Sequence, residues 1–142
     1  MEKRQPIGIE LVKKGVVREA DIEKALDYQK THPNKKIGDI LDILKLCDSD
    51  ILINAMGEIL DEKAIYLQEK DVMIDALEYI SLDIMKQNKA IPFEIASGKI
   101  KVCFADTSNK KSIEVIRLLL LNKGLVMEKY ITFETNIEKI IE

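Results

Sequence analysis

An α+β fold is expected for this 142-residue chain: tandem helical hairpins over residues 1–60, followed by a small α/β sandwich subdomain over residues 61–142. Three observations carry the expectation. An apolar frame repeats thirty residues on, the apolar spacing changes near residue 61, and a Gly-containing turn joins two short apolar runs.

The first copy of the frame reads Ile7-Gly8-x-x-Leu11-x-x-x-Gly15-Val16-Val17-x-x-x-x-Ile22-x-x-x-Leu26-x-x-Gln29. The second reads Ile37-Gly38-x-x-Leu41-x-x-x-Lys45-Leu46-Cys47-x-x-x-x-Leu52-x-x-x-Met56-x-x-Ile59. In copy one, Gly8 to Lys14 is expected as a helix of about two turns, stopped by Gly15 in the left-handed conformation that a residue without Cβ adopts cheaply. A second helix follows, with Ile22, Ala25, Leu26 and Gln29 as its stripe and Glu19 and Asp21 favouring its N-terminal end. Copy two has Asp48-Ser49-Asp50 at the same point, stronger capping chemistry, before Ile51, Leu52, Ala55, Met56 and Ile59. Between the copies, residues 30–35 form a polar connector in which Pro33 biases His32 away from helix.

Beyond residue 61, Ala64 to Leu67 is expected as a short strand. Two short helices follow between Val72 and Gln87, the second capped by Ser81. The runs Ala90–Ile95 and Ile100–Ala105, joined by Ala96-Ser97-Gly98-Lys99, make a hairpin. Asp106 to Asn109 is turn and cap chemistry, with capping the favoured role of Asp106. It leads into a helix from about Lys110 to Asn122 with Ile113, Ile116 and Leu120 as its stripe and Gly124 as its stop. Leu125 to Thr132 reads as a strand, and Phe133 to Ile141 as a closing helix with Ile137, Ile140 and Ile141 inward.

Composition narrows the function. At 46% hydrophobic and 33% charged residues the chain has a globular balance. Its length is too small for a nucleotide-driven motor with its own substrate site. Leu118 to Leu121 is far short of the roughly 20 apolar residues of a spanning helix, and no secretory signal opens the chain. A cytoplasmic domain without direct membrane insertion is therefore expected. The net charge is −3, spread evenly, and only Arg4, Arg18 and Arg117 are arginines among 22 basic residues. That balance argues against a nucleic-acid partner despite the helix-turn-helix look of each copy, because such binding is mainly phosphate neutralisation.

Catalytic chemistry has little to stand on. No Gly-x-x-x-x-Gly-Lys-Ser/Thr is present, and Ser97-Gly98-Lys99 lies in the hairpin turn. One histidine, His32, would have to serve every nucleophilic scheme, and Asp48 with Asp50 is explained by helix capping. Cys47 and Cys103 read as small buried hydrophobes, and no metal set can be assembled from them. Gly8 and Gly38 stay open between two roles, close helix packing and close approach to a ligand.

The tandem frame, followed by Ala90-Ile91-Pro92-Phe93 and Ile100-Lys101-Val102-Cys103-Phe104-Ala105-Asp106, resembles the N-terminal (MshEN-type) domain of the type II secretion and type IV pilus assembly ATPases over essentially the whole chain. The resemblance implies a non-catalytic regulatory and docking domain. It would sit ahead of a C-terminal ATPase domain, dock on an inner-membrane platform protein, and thus lie peripheral to the inner face of the cell membrane. In one subfamily the tandem motif binds cyclic di-GMP. Carried over, the ligand-binding positions are Ile7, Gly8, Leu11, Gln29, Lys36, Ile37, Gly38 and Leu41, and no other cofactor is implied. The family opens each copy with Arg-Leu-Gly and closes it with Gln. Here Pro6 and Lys36 stand at the arginine positions and Ile59 at the second Gln. A lysine supplies a point charge where arginine would offer a planar bidentate group.

Overall fold

The computed structural model describes residues 7–141. Its contacts divide the chain into two compact units, one ending at Asp61 and the other beginning at Glu62. The architecture is α+β, with the helices of the repeat in the first unit and a mixed sheet with helices in the second.

Among the described residues the first unit has four helices: α1 (Ile7–Lys13), α2 (Glu19–Thr31), α3 (Ile37–Ile43) and α4 (Ser49–Leu60). α1 ends as its sequence requires. Gly15 takes φ +77°, its N–H donates to the Val12 carbonyl at 2.9 Å, and the Val16 N–H donates to the Leu11 carbonyl at 3.0 Å. These paired bonds satisfy carbonyls that the helix end would leave bare. The same turn recurs thirty residues on without a glycine. Lys45 takes φ +56°, its N–H donates to the Asp42 carbonyl at 3.0 Å, and the Leu46 N–H donates to the Leu41 carbonyl at 3.1 Å. The repeat is thus kept in backbone geometry where the sequence had lost its marker.

α4 begins on Asp48, whose carboxylate accepts from the Asp50 and Ile51 N–H groups at 3.0 and 3.2 Å, as expected. The core of the unit includes Leu11, Val17, Ala25, Ile40, Leu41, Leu52, Ile53 and Met56. Two apolar residues depart from the expected stripes. Leu26 is 47% exposed and Ile51 is also exposed, because α2 buries the Asp21 and Ala25 side and α4 turns Leu52 and Ile53 inward.

In the second unit the strands β1 (Lys63–Ala64), β2 (Ala90–Ala96), β3 (Lys99–Phe104) and β4 (Val126–Ile131) lie in the order β1-β4-β3-β2. β2 and β3 pair antiparallel through a turn in which Ser97 and Gly98 both have positive φ, the arrangement whose twist matches a two-residue hairpin. β4 then lies parallel to both β3 and β1. β1 is shorter than the expected Ala64–Leu67. The Ile65 N–H still reaches the Ile131 carbonyl at 3.1 Å, but the Leu67 N–H turns to the Thr132 hydroxyl instead, which ends the ladder.

The helices of this unit are α5 (Ile74–Leu77), α6 (Leu82–Asn88), α7 (Lys110–Leu121) and α8 (Glu134–Ile141). Ser81 caps α6 by accepting from the Ile84 N–H at 3.3 Å. The cap of α7 is Asn109, which accepts from the Ser112 N–H at 3.1 Å. Asp106, expected to cap, accepts from the Ser108 N–H at 2.9 Å and shapes the turn one step earlier, since its carboxylate is spent two residues on. Ala76, Ile80, Met85, Ile91, Val102, Phe104, Ile116, Leu120 and Ile137 form the core, with Cys103 fully enclosed. Cys103 and the half-buried Cys47 are free thiols, and burial pushes both above the ordinary thiol range.

A residue with a Cβ in the left-handed region costs about 1–2 kcal/mol, part of which glycine recovers despite its larger unfolded-state entropy. Lys45→Gly is accordingly expected to stabilise the protein by about 0.5–1 kcal/mol. Gly15→Ala is expected to destabilise it by about 1 kcal/mol. Urea denaturation of both variants measures the pair, and equal shifts of the same sign would contradict the equivalence of the two turns.

Candidate functional site

The candidate residues lie on α1, on α2 and on α3 with the residue before it. α1 packs on α3 and α4, and α2 packs on α3, so the starts of both repeats belong to one helical layer. Gln29, at the end of the first copy, donates from its side-chain amide to the Lys35 carbonyl at 2.8 Å. That bond ties the last turn of α2 to the residue before Lys36. His32 follows, exposed in the connector as expected and stacked on the Tyr28 ring at 3.9 Å between centroids.

The eight positions separate by accessibility. Lys36 is exposed, while Ile7, Gln29 and Ile37 are half-buried. Leu11 and Leu41 are 0% exposed and offer a ligand no surface in this arrangement: their part is packing. Gly8 and Gly38 are buried inside helices, so neither is needed for a left-handed backbone. A Cβ added at Gly8 would lie 3.2 Å from Ile22 Cδ1, and one at Gly38 would lie 2.5 Å from Met56 Cε and 2.6 Å from its Sδ. Both glycines therefore let a side chain of the following helix approach the backbone, which realises the packing role. Pro6, the counterpart of Lys36, lies outside the described residues.

Three carboxylates are enclosed in this layer: Asp21, read from sequence only as favouring the start of α2, and Asp39 and Asp42, which belong to no motif. The only signal for the last two is their presence inside a short apolar helix. Asp42 accepts a hydrogen bond from the Ser49 hydroxyl, joining α3 to the first turn of α4. Asp21 accepts from the Arg18 N–H at 3.0 Å, and the Arg18 guanidinium stands 3.5 Å from its other oxygen. The Arg18 backbone bond, ahead of burial working in the opposite direction, holds the Asp21 carboxyl below the usual carboxylate value. Desolvation first, then Asp42, Asp21 and Asp48, raises the Cys47 thiol. Among the described residues no group of three His, Cys, Asp or Glu side chains is placed to hold a metal ion, and no helix is long and apolar enough to cross a membrane.

Known structures share this architecture. A structure of MshE with cdg, cyclic di-GMP, matches with a TM-score of 0.66 at 23% identity, over 97% of both chains. The N-terminal domain of XpsE matches in one crystal form with a TM-score of 0.60 at 18% identity, over 99% of this chain and 96% of that one. In a second crystal form the values are 0.50 and 20%, over 99% and 97%. The fold is that of the XpsE N-terminal domain. Neither a protein-family model nor a curated protein matches the sequence significantly. Shared MshE and XpsE architecture over nearly the full length means that the tandem hairpins and the sheet unit occur together in all three proteins.

A carboxyl whose value is lowered by folding adds stability above its unfolded value of 3.8 and loses that contribution as pH falls through the folded value. Asp21→Asn is thus expected to lower the melting temperature at neutral pH, with the gap from the parent protein closing as the pH falls below 3.8 and through the folded value. Thermal melts from neutral to acid pH measure this, and a gap that persists at the acid end would contradict it.

Proposed function

We propose that this chain is a non-catalytic regulatory and docking domain of a type II secretion or type IV pilus assembly ATPase. It would engage an inner-membrane platform protein and pass that state to a C-terminal ATPase domain, working in the cytoplasm at the inner face of the membrane. The observation that carries the reading is the match to the XpsE N-terminal domain across nearly the whole of both chains, and the resemblance of the tandem frame to that class of ATPase supports it. Support also comes from α7. Val115, Leu118 and Leu121 are exposed along its outer side, Leu118 at 50%, beside Lys110, Lys111 and Arg117. Exposed apolar area of this kind is what a docking domain must offer.

Co-purification with the cytoplasmic part of the cognate platform protein tests the reading. Association is expected with the parent chain and is expected to drop at least about tenfold in Leu118→Glu, the effect of placing a charge in an apolar contact. Absence of association with the parent chain overturns docking.

A second reading is a cyclic di-GMP receptor, favoured by the dinucleotide in the MshE structure. Ile7, Gln29, Lys36 and Ile37 are the tandem-motif side chains with surface to meet it. Isothermal titration decides: saturable heat that weakens in Lys36→Ala and Gln29→Ala supports it, and no heat at high-micromolar dinucleotide removes it.

A further inference from the structure

The second unit holds a cavity of about 250 Å³ between the segment after β1 and helix α8. Its walls include Tyr66, Leu67, Glu69, Asn136, Lys139 and Ile140. The floor is a buried polar relay. The Leu67 N–H donates to the Thr132 hydroxyl oxygen at 3.2 Å, and that hydroxyl donates to Asn136 Oδ1 at 3.1 Å. The Phe133 N–H donates to the same Oδ1 at 3.3 Å. A backbone N–H can only donate, so the amide orientation of Asn136 is fixed by chemistry: oxygen toward Phe133, NH2 away from it.

Asn136 is 4% exposed and lines the cavity, and among the described residues nothing accepts from its Nδ2. Among the described residues every buried side-chain nitrogen or oxygen has a hydrogen-bond partner, so this unpartnered Nδ2 is not enclosed but reaches open space. Two N–H donors therefore face a space that also holds the Lys139 side chain, while Leu67, Ile140 and the Tyr66 ring supply apolar wall. Donors and a cation select an anionic acceptor group. Glu69 at the same cavity disfavours a highly charged one, and the volume lies below that of sites for drug-sized ligands, so a dinucleotide does not fit.

The geometry points to a binding site for a monocarboxylate bearing a short apolar group, either a free acid or the C-terminal residue of a peptide, with its carboxylate on Asn136 Nδ2 and Lys139. The site belongs to the second unit and is independent of the tandem motif.

The test follows the Asn136 side-chain amide resonance of the whole chain, labelled with nitrogen-15, during titration. The probes are isovalerate, N-acetyl-leucine, the tripeptide Ala-Ala-Leu and the uncharged N-acetyl-leucinamide. A saturable shift with at least one carboxylate and none with the amide is expected. Isovalerate binding without the tripeptide identifies a free acid, and the reverse identifies a peptide end. Asn136→Asp keeps the acceptor that Phe133 needs and removes the donors, so it is expected to fold normally and bind at least about tenfold more weakly. Lys139→Gln, on the exposed side of α8, is expected to weaken binding in the same direction. No saturable shift at tens of millimolar carboxylate, equal binding of the neutral amide, or undiminished binding in both variants would each overturn the site.

Discussion

The first unit depends on what happens to two carbonyl groups, those of Leu11 and Leu41. Each belongs to a fully enclosed side chain and stands near the end of a seven-residue helix, where an unpaired carbonyl would be costly. The chain answers both times with a left-handed residue four positions on, which turns the next N–H back onto that carbonyl. The leucine is thereby buried, the helix is ended, and the chain is sent toward the next helix in one step. Gly15 accomplishes this without strain. Lys45 does so against its own preference, which shows that the packing of Leu41 and the start of α4 outweigh roughly 1–2 kcal/mol of backbone cost.

Much of the fold could be read from residues whose effect is local. Asp48 and Ser81 cap because a short oxygen-bearing side chain before an apolar stripe has few other places to go, and Gly15, Gly98 and Gly124 mark turns that require positive φ. Burial was less legible. Leu26 and Ile51 sit at helical spacing with core residues, yet which edge of a stripe faces inward is decided by neighbouring helices that the sequence does not locate. The left-handed Lys45 was illegible for a related reason: nothing in a lysine announces that conformation.

The candidate ligand positions divide along the same line. Their order in the chain places Gln29 and Lys36 at the repeat junction, where Gln29 meets the Lys35 carbonyl. It does not reveal that Leu11 and Leu41 are enclosed or that Gly8 and Gly38 are occupied by side-chain contacts. Asn136 is the converse case. It belongs to no motif, and its surroundings arise from a hydrogen bond between Leu67 and Thr132, residues far apart in sequence, so only the folded chain exposes its unpaired donors.

The two glycine contacts carry one more implication. Gly8 rests on Ile22, whose counterpart thirty residues on is Leu52, whereas Gly38 rests on Met56, whose counterpart is Leu26. The contact has moved by four residues, close to one helical turn or about 5.4 Å. The tandem copies are therefore alike in sequence frame and in their turns but not in how each hairpin closes. The two hairpins are thus not related by an exact twofold axis, and their surfaces differ in shape and composition.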